Sequence, residues 1–526
     1  MLTLADTSLD WALKHVITRG DTDIFPLPFE FRAIAEDWDQ IKPVLRQDLD
    51  TWAIGTQRTA LAPKHGLGLR MATQLDPLDT LVYCALIYEV GSQFEAARVP
   101  VSDARVFSYR FLPDAEGQLY DPQTNYEAFR LRSLALARRH AASLVVMTDI
   151  ADFFPRVYQH PMENAMRVAM EDAGSEPHHA RVLTKLISAW NMGVSYGIPI
   201  GPSSSRLISE VTIADVDQAL LSEPIEFCRF SDDYRLFVST EREARESLAF
   251  LANVLYRNHG LTLQESKTEI VPARDFIARF ERAERDKERR ELRLTFADLI
   301  AELDLDASPY EPIEYKDLNK KQRAVVNSLN LWSIVEHEAV SDRSLDIALI
   351  RFVLRRITQL GLRDQHDLLL TNISRFAPVF REVVEALVMQ SGMAATELQA
   401  LGARLIGLFD HPAVGHLEYH REWLLTPFAN QAVWNNVEQL VRLHTYHDEI
   451  TRRAITLALG RGQVSHWFKT RKQDVFQGSS WNRCAFLYAA SCLPGDEAKH
   501  WYQSLKPRLE PLDQAVVKYA RAHPLR

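Results

Sequence analysis

Phe227-Cys228-Arg229-Phe230-Ser231-Asp232-Asp233-Tyr234-Arg235-Leu236-Phe237-Val238 sets two adjacent carboxylates between two apolar, strand-forming runs. The pattern predicts a β-hairpin whose turn presents Asp232 and Asp233. Two neighbouring negative charges taken out of water without a partner are costly, so a counter-charge is expected. Hard divalent cations such as Mg²⁺ prefer carboxylate oxygen and are the usual partner. An acidic turn facing water is the plain alternative, and the rest of the chain has to decide between them.

Upstream, Leu144-Val145-Val146-Met147-Thr148-Asp149-Ile150-Ala151-Asp152-Phe153-Phe154-Pro155 reads as an apolar strand ending in acidic and aromatic residues. Asp149 stands where a strand would deliver a metal ligand, or else caps the helix that follows. Phe154 either walls a nucleotide pocket or belongs to the core. Residues 180–190 read as an amphipathic helix. In Gly197-Ile198-Pro199-Ile200-Gly201-Pro202-Ser203-Ser204-Ser205, glycines and prolines force a tight loop. The serines are placed to cap the next helix, whose first N–H groups suit phosphate or a base pair. Beyond the hairpin, residues 261–271 predict a strand pair with Lys267 in its turn.

Acidic strand, Gly-Pro loop, Asp-Asp hairpin and lysine turn follow in that order, with Asp149 and Asp232 separated by 232 − 149 = 83 residues. This order resembles the palm of reverse transcriptases. The resemblance implies that Asp149, Asp232, Asp233 and the Ile150 carbonyl hold two Mg²⁺ (or Mn²⁺) ions for nucleotidyl transfer. It implies that Lys267 protonates or steers the leaving group, and that Phe154 excludes a 2′-hydroxyl. It places Lys64 and Arg70 on the triphosphate, and Gly197, Pro199, Ile200 and Gly201 against the template and incoming base. Ile200 stands where many reverse transcriptases have glutamine, and Ser231 where many have alanine. With Gly20–Pro26 and Ser108-Tyr109-Arg110, these residues resemble the bacterial abortive-infection and defence-associated reverse transcriptases. The implied partners are dNTPs, a DNA product attached through a tyrosine, a non-coding RNA and further copies of the chain. Synthesis is expected to be untemplated or templated by that RNA. A polymerase fold used only to bind RNA or to sense phage nucleic acid is the competing function.

The 526 residues carry a net charge of −9, so nucleic acid would have to be held by a local basic groove rather than by bulk attraction. Hydrophobic content of 46% and charged content of 25% fit a globular chain with sizeable cores. Cys84, Cys228, Cys484 and Cys492 lack zinc-site spacing and read as core thiols. No signal-like start or membrane-length apolar run occurs, so no membrane partner is expected and the chain reads as cytoplasmic. Near the N-terminus, residues 8–18 predict a helix capped by Ser8, and a second helix should end or kink near Pro43. Lys64 and Arg70 sit in a Gly-containing basic stretch that suits either phosphate or water. Phe107–Phe111 predicts a short strand, with Arg110 a candidate nucleic-acid contact.

The expected fold is α+β: a reverse transcriptase-like fingers and palm over 1–280, a charged helical connector over 281–317, and an all-α HEAT-like domain over 318–526. In the last, helix pairs are expected every 35–45 residues. Arg351, Arg355, Arg356, Arg452, Arg453, Lys469, Arg471 and Lys472 are candidate nucleic-acid contacts or solvated helix faces. Tyr310, Tyr315, Tyr419, Tyr446, Tyr488, Tyr502 and Tyr519 are candidate primers.

Overall fold

A computed structural model describes residues 1–64, 68–139, 143–285, 331–341, 345–359, 362, 366–388, 393–434, 436–445 and 448–525. The fold is mixed helix and strand, in two compact units: residues 1–58 with 73–285, and residues 59–72 with 286–526. Six strands occur among the described residues: β1 (Arg58–Pro63), β2 (Leu69–Gln74), β3 (Leu144–Asp149), β4 (Glu226–Phe230), β5 (Asp233–Val238) and β6 (Glu269–Pro272).

In the first unit, β3 to β6 form one antiparallel sheet in the order β4-β5-β3-β6. The apolar run of β3 belongs in the centre because both its edges are paired, with Val145 and Val146 buried. Val145, Cys228, Phe237 and Val271 from the four strands pack with Phe129 and Leu136 of the helix Tyr126–Arg139 and with Phe276. The β4–β5 connection is a two-residue loop, Ser231-Asp232, between the paired residues Phe230 and Asp233. Ser231 has φ +55°, a positive angle at the first loop position that suits the twist of a two-residue hairpin. In a non-glycine residue it costs about 1–2 kcal/mol.

Several local expectations change. The first helix starts at Asp6 behind Ala5, which leaves Ser8 buried inside it rather than at its cap. Pro43 lies within the helix Trp38–Leu45. Phe107–Phe111 is not a strand: Val106 and Phe111 make single bridges, and Tyr109 takes φ +46°. Arg110 is buried, with Nη1 on Glu95 at 2.8 Å and Nη2 on the Val99 carbonyl, so it does not face nucleic acid. Of the strand pair expected over 261–271, β6 forms; the upstream half makes one bridge, Leu263 to Ile150. The cysteines are free thiols, three of them buried.

The second unit holds residues 59–72 of the β1–β2 pair and a run of helices. Four helices start at Glu418, Glu449, Ser480 and Pro511, so the period is 449 − 418 = 480 − 449 = 511 − 480 = 31 residues. This is shorter than the expected 35–45; the helices between are Val437–His444, Ser465–Lys469 and Gly495–Leu505. A polar joint recurs at twice that period, since 483 − 421 = 62. Arg421 reaches Asp448, the N-cap of the next helix, at 2.6 Å and Thr451 at 3.1 Å. Arg483 reaches Glu510, again the next N-cap, at 2.6 Å and Asp513 at 2.8 Å. Such capping stabilises a helix start and fixes where it begins.

At least five of the eight basic residues proposed for nucleic acid in this unit have internal partners. Arg351 and Arg355 both bind Glu382, Lys469 and Lys472 both bind Glu497, and Arg453 is buried over Trp481. Tyr419, Tyr488, Tyr502 and Tyr519 are buried, which withholds their hydroxyls from a polymerase reaction. Tyr310, Tyr315, Tyr446 and the connector from 286 onward lie outside the described residues. No described helix is long and apolar enough to cross a membrane.

Candidate active site

The carboxylates meet at the ends of the central strands. Asp149 closes β3 directly opposite Asp233, the first residue of β5. One residue on, the Ile150 N–H donates to the Asp232 carbonyl at 3.0 Å, tying the strand end to the hairpin loop. The backbone of 262–264 crosses the same end: Ala151 N–H donates to Thr262, and Gln264 N–H donates to the Asp149 carbonyl at 2.7 Å. Lys267, in the single turn Glu265–Lys267, thereby lands beside the carboxylates, and its Nζ donates to Asp149 Oδ2 at 2.5 Å.

Electrostatics show what this clustering costs. Burial raises the Asp232 carboxyl to about 6, and the neighbouring Asp149 charge adds to the rise. Burial likewise raises Asp233 to about 6, against the lowering effect of Arg235. Lys267 is held above its ordinary value: burial opposes the charge, but the three carboxylates outweigh it. Anions crowded this way suit a cation, and an ammonium on Asp149 supplies part of that charge.

Asp233 is the least committed of the three. Its Oδ2 lies 3.6 Å from Arg235, whose guanidinium sits over the Phe129 ring at 4.2 Å. Among the described residues, no three Asp, Glu, His or Cys side chains converge into a ready metal cage. The donor set at Asp149 and Asp232, two partly buried carboxylates that meet at one end of the sheet, fits a hard divalent cation. Asp233 would join by turning from Arg235.

The glycine loop is docked on the segment that follows β3. The Gly197 N–H donates to the Val157 carbonyl at 2.7 Å and the Ile198 N–H to the Phe154 carbonyl at 3.0 Å. On its other side, the Ile200 carbonyl accepts from the Thr73 N–H at 2.7 Å. Gly201 has φ +138°, and a Cβ there would sit 2.6 Å from the Thr73 carbonyl oxygen, so only glycine fits. Pro199 is buried, while Ile200 and Phe154 are partly exposed. Phe154 lies on the short helix Phe153–Arg156, edge-on to Phe153. Ser203 precedes the helix Ser204–Thr212 without capping it through its side chain; the hydroxyl pairs with His15 Nε2 at 2.8 Å. Lys64 and Arg70 belong to the second unit, whereas the carboxylates lie in the first.

Sequence reasoning missed the polar core behind the hairpin. Arg229, fully buried on β4, binds Asp217 through two hydrogen bonds of 2.8 and 2.5 Å, and its Nη2 lies 3.0 Å from Glu210. Arg98 reaches the same Glu210 oxygen at 2.8 Å. The signal was in the sequence as an arginine in the middle of an apolar strand, a residue rarely buried unless paired.

No protein-family model matches the chain, and no curated protein matches it. Among solved structures, apo telomerase from Candida tropicalis aligns over 75% of this chain and 74% of its own, at 10% identity and a TM-score of 0.35. Telomerase from Candida albicans, solved with the TWJ fragment of telomeric RNA, aligns over 76% and 71%, at 11% identity and a TM-score of 0.32. At TM-scores this low, neither similarity assigns a fold or a residue to this chain.

Proposed function

We propose that this chain is a reverse transcriptase-type DNA polymerase that adds dNTPs by metal-dependent nucleotidyl transfer. The observation that carries the reading is the convergence of Asp149 and Asp232 across β3 and the β4–β5 turn, with Lys267 on Asp149. Asp149, Asp232 and the Ile150 carbonyl would hold the metal, and Asp233 would complete the set. Bound Mg²⁺ or Mn²⁺ would activate the attacking hydroxyl and neutralise the triphosphate. Lys267 keeps a proton at Nζ beside the reacting phosphates, ready for the leaving pyrophosphate. Phe154 presents a half-exposed ring beside the Gly197–Pro202 loop, where it would exclude a 2′-hydroxyl. The triphosphate role of Lys64 and Arg70 rests on the family resemblance alone.

The setting in antiphage defence, as an oligomer, follows from the resemblance of Gly197–Pro202 and Ser231–Asp233 to the abortive-infection group. So does synthesis without a template, or on an associated RNA, primed from a tyrosine. The exposed tyrosines among the described residues, Tyr126, Tyr158, Tyr196 and Tyr256, all lie in the first unit and become the candidates in place of the buried ones. The test is to incubate the purified chain with Mg²⁺ and each labelled dNTP, with no added nucleic acid, then denature and sequence the product. Label that stays on the protein supports priming from a side chain; free product copied from co-purifying RNA replaces priming with templated extension.

One observation favours a second reading, a polymerase fold retained for binding. Lys267 already supplies a positive charge to Asp149, and no three-ligand cage is formed among the described residues. That reading predicts that Asp232→Asn with Asp233→Asn leaves phage protection intact.

A further inference from the structure

Glu210 lies in the helix Ser204–Thr212, directly after the Gly197–Pro202 loop, and its side chain is wholly buried. One carboxylate oxygen receives both Arg98 Nη2, at 2.8 Å, and Arg229 Nη2, at 3.0 Å. The other accepts from the Ser108 hydroxyl at 2.6 Å. Burial alone would raise this carboxyl, yet the Arg229 and Arg98 guanidiniums hold it below the usual carboxylate value, so it stays charged.

Each arginine spends another amino group on a backbone carbonyl. Arg229 Nη1 donates to Ser231 O at 2.8 Å, and Arg98 Nη1 donates to Tyr109 O at 2.9 Å. Ser231 and Tyr109 are both non-glycine residues with positive φ, +55° and +46°. Such backbone persists only where its surroundings over-determine it. Ser231 is followed at once by Asp232, and the Tyr109 ring packs on Phe230 at 5.6 Å. Asp217 and Glu95 complete the cluster, which with Arg110 holds three guanidiniums and three carboxylates.

We propose that Glu210 and Arg229 are positioning residues for the metal centre: Glu210 orients two arginines that clamp the left-handed carbonyls of Ser231 and Tyr109, and the Ser231 clamp fixes the aim of Asp232. The loop-helix that carries Glu210 and the hairpin that carries Asp232 are thereby joined by one buried contact. The inference rests on the reading of Asp149 and Asp232 as metal ligands.

The test uses the full chain and titrates Mn²⁺ by electron paramagnetic resonance, independent of turnover. Glu210→Gln and Arg229→Lys should each weaken Mn²⁺ binding about tenfold, the scale set by releasing a residue from left-handed backbone. Arg229→Lys, the milder change, carries the test if Glu210→Gln fails to fold. Adding Ser231→Gly to Arg229→Lys should restore affinity to within about threefold, because glycine takes positive φ without a clamp. Wild-type affinity in folded Glu210→Gln or Arg229→Lys overturns the inference, as does a Ser231→Gly addition that restores nothing. A wild-type chain that binds no Mn²⁺ overturns the metal-centre reading itself, and this inference with it.

Discussion

Replacing Asp232 with asparagine should stabilise the metal-free chain at neutral and alkaline pH. Burial beside Asp149 raises Asp232 from 3.8 to about 6. At about 1.36 kcal/mol per pK unit, that rise is an upper bound of about 3 kcal/mol against folding. Burial is the larger cause and an asparagine amide is still desolvated there, so the substitution recovers only part, about 1–3 kcal/mol, or about 2–8 °C in melting temperature. The sign follows from proton binding. Between 3.8 and about 6 the folded carboxyl holds its proton while the unfolded one has lost it, so this group's contribution to stability falls as pH rises through that window. The penalty is therefore absent at pH 3.5 and complete at pH 7.5. The assay is thermal melting of wild type and Asp232→Asn in EDTA across that range, read as the difference between the two. A difference near zero in acid that grows in favour of Asp232→Asn towards pH 7.5 is expected. A destabilised variant at pH 7.5, or a difference independent of pH, refutes the electrostatic reasoning.

Lys267→Met should lower dNTP incorporation by about 100-fold, the scale of a lost general acid, while Mn²⁺ binding holds or tightens, because the ammonium competes for Asp149; equal loss of both would place Lys267 in metal binding instead. Gly201→Ala drives a methyl against the Thr73 carbonyl from a φ that alanine avoids, so urea unfolding should show a loss of about 2 kcal/mol or more; an unchanged midpoint contradicts the docking of the loop. Arg483→Met strands the buried Asp513 and removes a partner of the Glu510 cap, at a cost of about 2–3 kcal/mol. Amide exchange should then quicken in Pro511–Ala522, and unchanged protection there would show that the arginine-to-cap joint is not structural.

The strands that carry the carboxylates were legible because their pattern is local. Val145 and Val146 need cover on both faces, and the paired runs around Ser231-Asp232 leave only a two-residue loop. What escaped was set by distant partners. Arg110 reads as an exposed base until Glu95 and the Val99 carbonyl are placed around it. Glu210, Arg98 and Arg229 come from three separate segments, and no spacing rule joins them. Ser8 and Ser203 have the right chemistry for caps but are drawn elsewhere, Ser8 into the helix interior and Ser203 to His15. The 31-residue period was hidden because every amphipathic helix repeats its apolar face, and the arginine-to-cap joint that marks the array comes only at every second step. The C-terminal tyrosines looked available because burial of a phenol depends on neighbours that sequence does not reveal.

The most direct measurement is incorporation of labelled dNTPs by the purified full chain in Mg²⁺, beside Asp149→Asn and Asp232→Asn chains shown to be folded. The metal-centre account predicts label in product from the wild type, none after EDTA, and at least a 100-fold loss in either variant, as expected for removal of a metal ligand. Incorporation that survives in Asp232→Asn, or a wild type inactive with every template, primer and co-purified RNA, contradicts it.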